Sequence, residues 1–305
     1  MTEAVLGVRV DDDTRSGSRS AGRNFDHIKE RAQGADRGVR RLEMGMAGLG
    51  KTMLKVGAGL GVAVGIRELG QAMTSAAKSS LSFHEALAEV STLLSDITQM
   101  PEINRQARLM AGQFGGMPTS QAKAFYQVIS AGAADAAEAT ETMTAANKLA
   151  VGGVTDITTA ADGLTSILNA YGDAAGTAEQ VTDRMFVAMR AGKTTIGELS
   201  SSISFVASIA ANAGVALDDV LAATAALTKG GIPTQRAMRG LAQVFASVTK
   251  PASEAVKQAA DLNLEFDAMA LKSKGLAGFL EDIAIKTGGS TTAIANLFGG
   301  VEAIV

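Results

Sequence analysis

Between residues 25 and 63 the apolar positions recur at alternating steps of three and four: Phe25, Ile28, Ala32, Ala35, Val39, Leu42, Met46, Leu49, Met53, Val56, Leu60 and Ala63. That spacing lays one apolar stripe along a helix. The stripe occupies the a and d positions of heptads, and charges such as Lys29, Arg31, Asp36 and Glu43 flank it. The pattern predicts a parallel coiled-coil oligomer of this chain, of three or more copies. Its oligomerisation seam comprises Phe25, Ile28, Val39, Leu42, Met46, Leu49, Met53, Val56 and Leu60. Past Ala63 the apolar positions shift to Ile66, Leu69 and Met73, then Leu81, Leu87, Val90 and Leu94, still at helical spacing. A long helix is therefore expected from about Asn24 towards Ser95. Its weak point is the glycine-rich stretch between Gly45 and Gly70, each interior glycine costing about 1 kcal/mol relative to alanine.

After Pro101 the rhythm changes. Glycines close apolar helical segments at Gly132, Gly153, Gly172, Gly192, Gly214 and Gly231. Consecutive short helices, each ended by a left-handed glycine at intervals of about twenty residues, account for this. Starts match stops. Pro118 and Pro233 open helices, Pro251 closes one, and Thr177-x-x-Gln180 and Thr195-x-x-Glu198 have the form of capping boxes. Apolar faces are expected from Phe186, Val187 and Met189 on one helix, and from Ile203, Val206, Ile209 and Ala210 on the next. Two more follow, from Val220, Leu221, Thr224 and Leu227, and from Met238, Leu241, Val244, Phe245 and Val248. The fold class is all-α. Residues 1–20 read as a flexible arm, 21–100 as the heptad-patterned helical segment, 101–287 as a compact domain of short antiparallel helices, and 288–305 as the start of a further, truncated helix.

Composition narrows the chemistry. The 305 residues include no Cys, no Trp and two His, and aromatic residues make up 4%. Disulfide and thiolate chemistry are excluded. The net charge of −3 gives no overall attraction to nucleic acid or anionic membrane, although Arg15 to Arg41 forms a basic arm. No signal peptide is present. The most apolar run, Val56 to Ile66, is about half the ~20 residues a bilayer requires.

Gly45 to Thr52, GMAGLGKT, spells a phosphate-binding loop. The preceding ADRGVRRLEM makes a poor buried strand, and the heptad frame places Lys51 at an outward f position. His27 and His84 lack a second ligand at helical spacing, and the serines at Ser200 to Ser204 lack a nucleophile elbow. The acidic pairs Asp218-Asp219 and Glu281-Asp282 suit helix starts and exposed turns. The reading is of a protein without catalytic, cofactor or metal residues.

Three phrases and an ending carry a resemblance: FHEALAEVSTL; Tyr126 to Gly172, YQVISAGAADAAEATETMTAANKLAVGGVTDITTAADGLTSILNAYG; Gly192 to Pro251, beginning GKTTIGELSSSISFVASIAANAG; and LFGGVEA. In order and spacing the chain resembles the core region of phage tail tape measure proteins. The resemblance implies a structural virion protein in the lumen of the tail, made in the bacterial host cytoplasm, that sets tail length and scaffolds the tube. Its implied partners are further copies of itself, the tail tube protein, tail assembly chaperones and tail-tip proteins, with host membrane contact during DNA ejection. It brings no catalytic residue. Wholly helical, the chain would span only about 460 Å, and the pattern stops inside VEAIV, so a fragment, a truncated prophage gene or a short-tail variant is expected. The competing reading is a non-viral helical interaction or adaptor module.

Overall fold

The computed structural model describes residues 62–299. The seam residues Phe25 to Leu60, the basic arm and the GMAGLGKT stretch lie outside the described residues. The chain divides into two units, Met1–Ser95 and Asp96–Val305. Among the described residues both are helical and neither contains a strand.

In the first unit, α1 runs from Val62 to Ser91. Its last two turns bury Phe83, Ala86, Leu87 and Val90, spaced as one helix face. From Thr74 to Ser82 no residue is buried.

The second unit opens with a 3-10 turn at Ile97–Gln99, capped by Asp96. Then come α2 (Met100–Phe114), α3 (Pro118–Ser130), α4 (Ala136–Gly152), α5 (Ile157–Tyr171) and α6 (Ala178–Ala191). These are followed by α7 (Ile196–Ser202), α8 (Ala207–Asn212), α9 (Leu217–Lys229), α10 (Thr234–Thr249), α11 (Ser253–Asp261), α12 (Ala268–Thr287) and α13 (Thr291–Phe298). α5 is the central helix and packs against α3, α4, α6, α7 and α8. Its apolar face fits that place: Ile157, Ala160, Ala161, Leu164 and Ile167 are all buried. α9 packs on α6, α8 and α10, and α10 packs in turn on α7 and α8; on the far side α12 and α13 pack on α10, α11 packs on α13, and the Phe266 ring joins α12 to α13 through Phe279 and Phe298.

One contact decides how near α5 and α7 come. A Cβ on Gly163 would stand 2.5 Å from the Cα of Ser200, closer than any side chain tolerates. Only glycine permits that crossing.

Local signals explain the starts. Thr177 and Thr195 form both halves of their capping boxes with Gln180 and Glu198. Asp135, Asp156 and Asp267 cap α4, α5 and α12 with their side chains. Pro118 opens α3, Pro233 precedes α10, and α10 ends before Pro251.

The stops differ in part from expectation. Gly132, Gly214 and Gly231 have positive φ, and the amide after each donates to the carbonyl five residues back, a Schellman closure. Gly172 also has positive φ. Gly153 and Gly192 do not, with φ of −95° and −104°. At the end of α4 the left-handed position moves one residue on, to Val154 with φ 51°, and Thr155 N–H closes the motif on Ala150 O at 2.9 Å. Gly153 is glycine for another reason: a Cβ there would overlap Ile196. Likewise a Cβ on Gly192 would meet the Ala225 Cα at 2.8 Å.

Two expected faces are also corrected. On α6 the buried residues are Ala178, Val181, Thr182, Met185 and Ala188, while Val187 is 56% exposed. Ile203, Val206, Ile209 and Ala210 do not share one helix, because a 3-10 turn at Ile203–Phe205 separates α7 from α8. That break lets both pieces follow the surface of α5.

Candidate functional site

The seam expected from the heptads lies outside the described residues, and the polar clusters that follow belong to the second unit. A groove of about 700 Å³ lies where the N-terminus of α4 meets the start of α2. Gln99, Glu102 and Gln106 form one wall, and Asp135, Ala136, Thr140 and Glu141 the other. Its polar atoms fasten the two helices together. Gln99 Oε1 accepts from the Ala136 N–H at 2.7 Å. Asp135 Oδ1 accepts from the N–H groups of Ala137 and Glu138, both at 2.9 Å. Glu102 accepts from Arg105 Nε and Nη2 and from Gln106 Nε2. Hydrogen bonds from Arg105, then Gln106, hold the Glu102 carboxyl below its ordinary range. The α4 helix dipole already has its Asp cap. The groove is a joint.

A second polar cluster ties three elements. Beyond its place in the capping box, Glu198 Oε2 accepts from the hydroxyls of Thr194 at 3.3 Å and Thr234 at 3.1 Å. The two threonine hydroxyls lie 2.7 Å apart. The loop before α7 is thereby fixed to the first turn of α10.

A third cluster is buried. Gln121 on α3 and Asn147 on α4, each 2% exposed, exchange amide hydrogen bonds of 2.6 and 3.0 Å. The Asn147 amide also donates to the Met143 carbonyl at 2.8 Å and reaches Met110 Sδ on α2 at 3.6 Å. Side chains of three helices meet there. Nothing in the linear pattern exposes the pair: the partners stand 26 residues apart, and each reads alone as a surface amide.

The remaining candidates are dispersed. His84 is exposed on α1 beside the Phe83 ring. Asp218 and Asp219 lie in the first turn of α9, Asp218 facing Arg184 at 3.4 Å. Asp282 pairs with Lys274 at 2.8 Å. Ser200 Oγ and Tyr171 OH are buried without a hydrogen-bond partner, and burial, with the Asp219 charge, pushes the Tyr171 phenol up. Arg239 stacks over Phe205 at 4.5 Å. Among the described residues no group of three or more His, Asp or Glu is placed to hold a metal ion, and no helix is long and apolar enough to cross a membrane.

What the arrangement does is hold helices against one another through interlocking polar joints and small-residue contacts. Comparison with known proteins agrees with such a role. The family model for phage-related minor tail proteins matches residues 104–299. Over 153 residues, 49% of the chain, it is 30% identical to a probable tape measure protein of Clostridium phage phiCD119. The match covers 16% of that protein's length. No solved structure matches the chain.

Proposed function

The chain belongs to the phage-related minor tail protein family, and from that premise we propose that it is a structural tape measure component that helps set tail length and scaffolds the tail tube from inside its lumen. The observation that carries the reading is the extent of the family match. It covers nearly all of the second unit, the part built from capped, tightly joined helices. The two units take different tasks. A ruler counts residues along an extended helix at about 1.5 Å each, and α1 (Val62–Ser91) has that form. The second unit is too compact to measure by extension, and its rigid joints suit it to anchoring. Further copies of this chain bind along the seam Phe25 to Leu60, and the tube protein, assembly chaperones and tail-tip proteins are the partners of the whole. Host membrane contact during ejection belongs to the same proposal.

The experiment is a length series. Deleting or duplicating two heptads within residues 25–60, in a phage or prophage carrying this gene, should shift tail length by about 21 Å, the rise of fourteen helical residues. Averaged electron micrographs of tails resolve that shift. Tails of unchanged length in both variants would remove the ruler role and leave the scaffold role to be tested by whether a null allele still makes tubes.

A further inference from the structure

We propose that α12 is a two-state element. Bent at Gly275 and clamped by Lys274, it straightens into one helix of 20 residues when the clamp opens, and its first arm then leaves the body of the second unit.

α12 is two helical arms, 268–274 and 276–287, joined at Gly275 with φ 66° and ψ 167°. That conformation is essentially reserved to glycine. A Cβ at Gly275 would meet nothing within 4 Å, so no crowding at the glycine itself forces the bend. The bend lets the first arm reach the loop before α9. The Lys272 stem lies over Gly214, whose Cβ, if present, would stand 3.3 Å from Lys272 Cδ. Leu271 on the same arm is 1% exposed.

Lys274 holds the two arms at this angle. Its Nζ lies 3.0 Å from Glu265 Oε2, on the segment before α12, and 2.8 Å from Asp282 Oδ2, on the second arm. The Lys274 and Asp282 side chains are only 30% and 27% exposed, so the pair is partly shielded from water. On a straight helix, positions 274 and 282 stand about 12 Å apart along the axis and about 80° apart around it. Ion pairs on a helix surface form at separations of three or four residues, not eight. The Lys274–Asp282 pair therefore exists only in the bent form.

The sequence of α12 also fits the other form. It contains no proline, and neither Ser, Thr, Asp nor Asn stands at 274 or 275 to cap the second arm. Met269 is 74% exposed on the bent helix. On a straight helix it would fall two turns before Leu276 and about 20° from it, in line with the buried residues Leu276, Phe279 and Ile283. Leu271 would turn about 140° away from that stripe. The bent form thus keeps Leu271 inside and leaves Met269 in water, and straightening exchanges the two. Packed elements with two discrete arrangements of this kind switch rather than deform, and the Lys274 pairs select the bend.

The chain has no cysteine, so spin labels go only where thiols are introduced. Met269→Cys and Lys286→Cys place labels at exposed positions on the two arms, outside the clamp. The full-length labelled chain is diluted with unlabelled chain, so that electron–electron resonance reads distances within one copy. A straight α12 puts the two positions about 26 Å apart, and the bend brings them closer. The otherwise native chain should show the shorter distance. Lys274→Met keeps the stem and removes the charge, and it should raise the population at about 26 Å roughly tenfold, from a minor state of about 1%. Gly275→Ala forbids the bent backbone without a steric clash and should make the longer distance the main one, with helix content by circular dichroism kept or increased. A native chain already at about 26 Å overturns the clamp. The shorter distance alone in both variants makes the bend fixed and overturns the switch. Gly275→Ala with lost helix content and a broad distance distribution shows an arm that melts instead of straightening, and overturns it as well unless Lys274→Met populates the longer distance.

Discussion

Val154 is a β-branched residue in the left-handed region, φ 51°, with 93% of its surface exposed. A left-handed conformation costs an L-residue roughly 1–2 kcal/mol, and with so little surface covered the side chain recovers almost nothing by burial. Val154→Gly removes that strain but adds roughly 0.5–1 kcal/mol of backbone entropy. The variant should therefore be more stable by about 0.5–1 kcal/mol, read as a rise in urea midpoint at constant slope. Val151→Gly, three residues earlier in the helix, should lower the midpoint. A lower midpoint for Val154→Gly would show that the valine has a contact to lose. Gly163 is the converse case. Gly163→Val drives two methyl groups into the Ser200 backbone and should cost about 2–3 kcal/mol by overpacking. Neither residue could be ranked from the sequence. VGG at 151–153 reads as a glycine stop, yet the steric need of Gly153 against Ile196 displaces the turn onto a valine.

Among the elements, helix starts were the most legible feature, because a cap is written within four residues: Thr177 with Gln180, Thr195 with Glu198. Contacts between elements were not legible, because they join residues far apart in the chain. The break between α7 and α8 illustrates the limit. Its apolar spacing is that of one helix, and only the need to follow α5 bends it. The Gln121–Asn147 joint gives the element-scale prediction. Asn147→Leu leaves the Gln121 amide buried and unpaired, at a cost of about 1–3 kcal/mol. Adding Gln121→Leu removes the stranded group, so the double variant should recover most of the loss in a double-mutant cycle. Additive losses would mean that the two side chains do not act as a pair. At the other joint, Glu198→Ala removes the cap partner and two threonine bonds at once, and should cost about 1–2 kcal/mol.

Across the molecule, the all-helical class follows from the helical spacing of the apolar positions and from the capped short helices after Pro101. Which face each helix buries follows only from the packing around α5, as the misplaced Val187 shows. The charges give a last prediction. Asp96, Glu102, Asp156 and Glu179 all have carboxyls held below their ordinary range. The leading causes are hydrogen bonds from Thr98, Arg105, Thr159 and Lys148 respectively. A depressed folded pKa means that the ionised form is favoured by folding. The contribution is therefore complete above the unfolded value, near pH 4, and is lost as pH falls through the folded values. These groups lie on α2, at the cap of α5, at the start of α6 and at the entry to the second unit, so acid loosens its starts and joints together. All four are near the surface, where screening keeps each term small. The melting temperature should thus be level from pH 7 to about 5 as far as these carboxylates set it, and fall below about pH 4. Asp156→Asn keeps an acceptor for Thr159 but removes the titrating charge, and it should flatten part of that fall. A melting temperature that rises on acidification would show that carboxylate repulsion outweighs these hydrogen bonds, and that the caps and joints hold the helices without their charge.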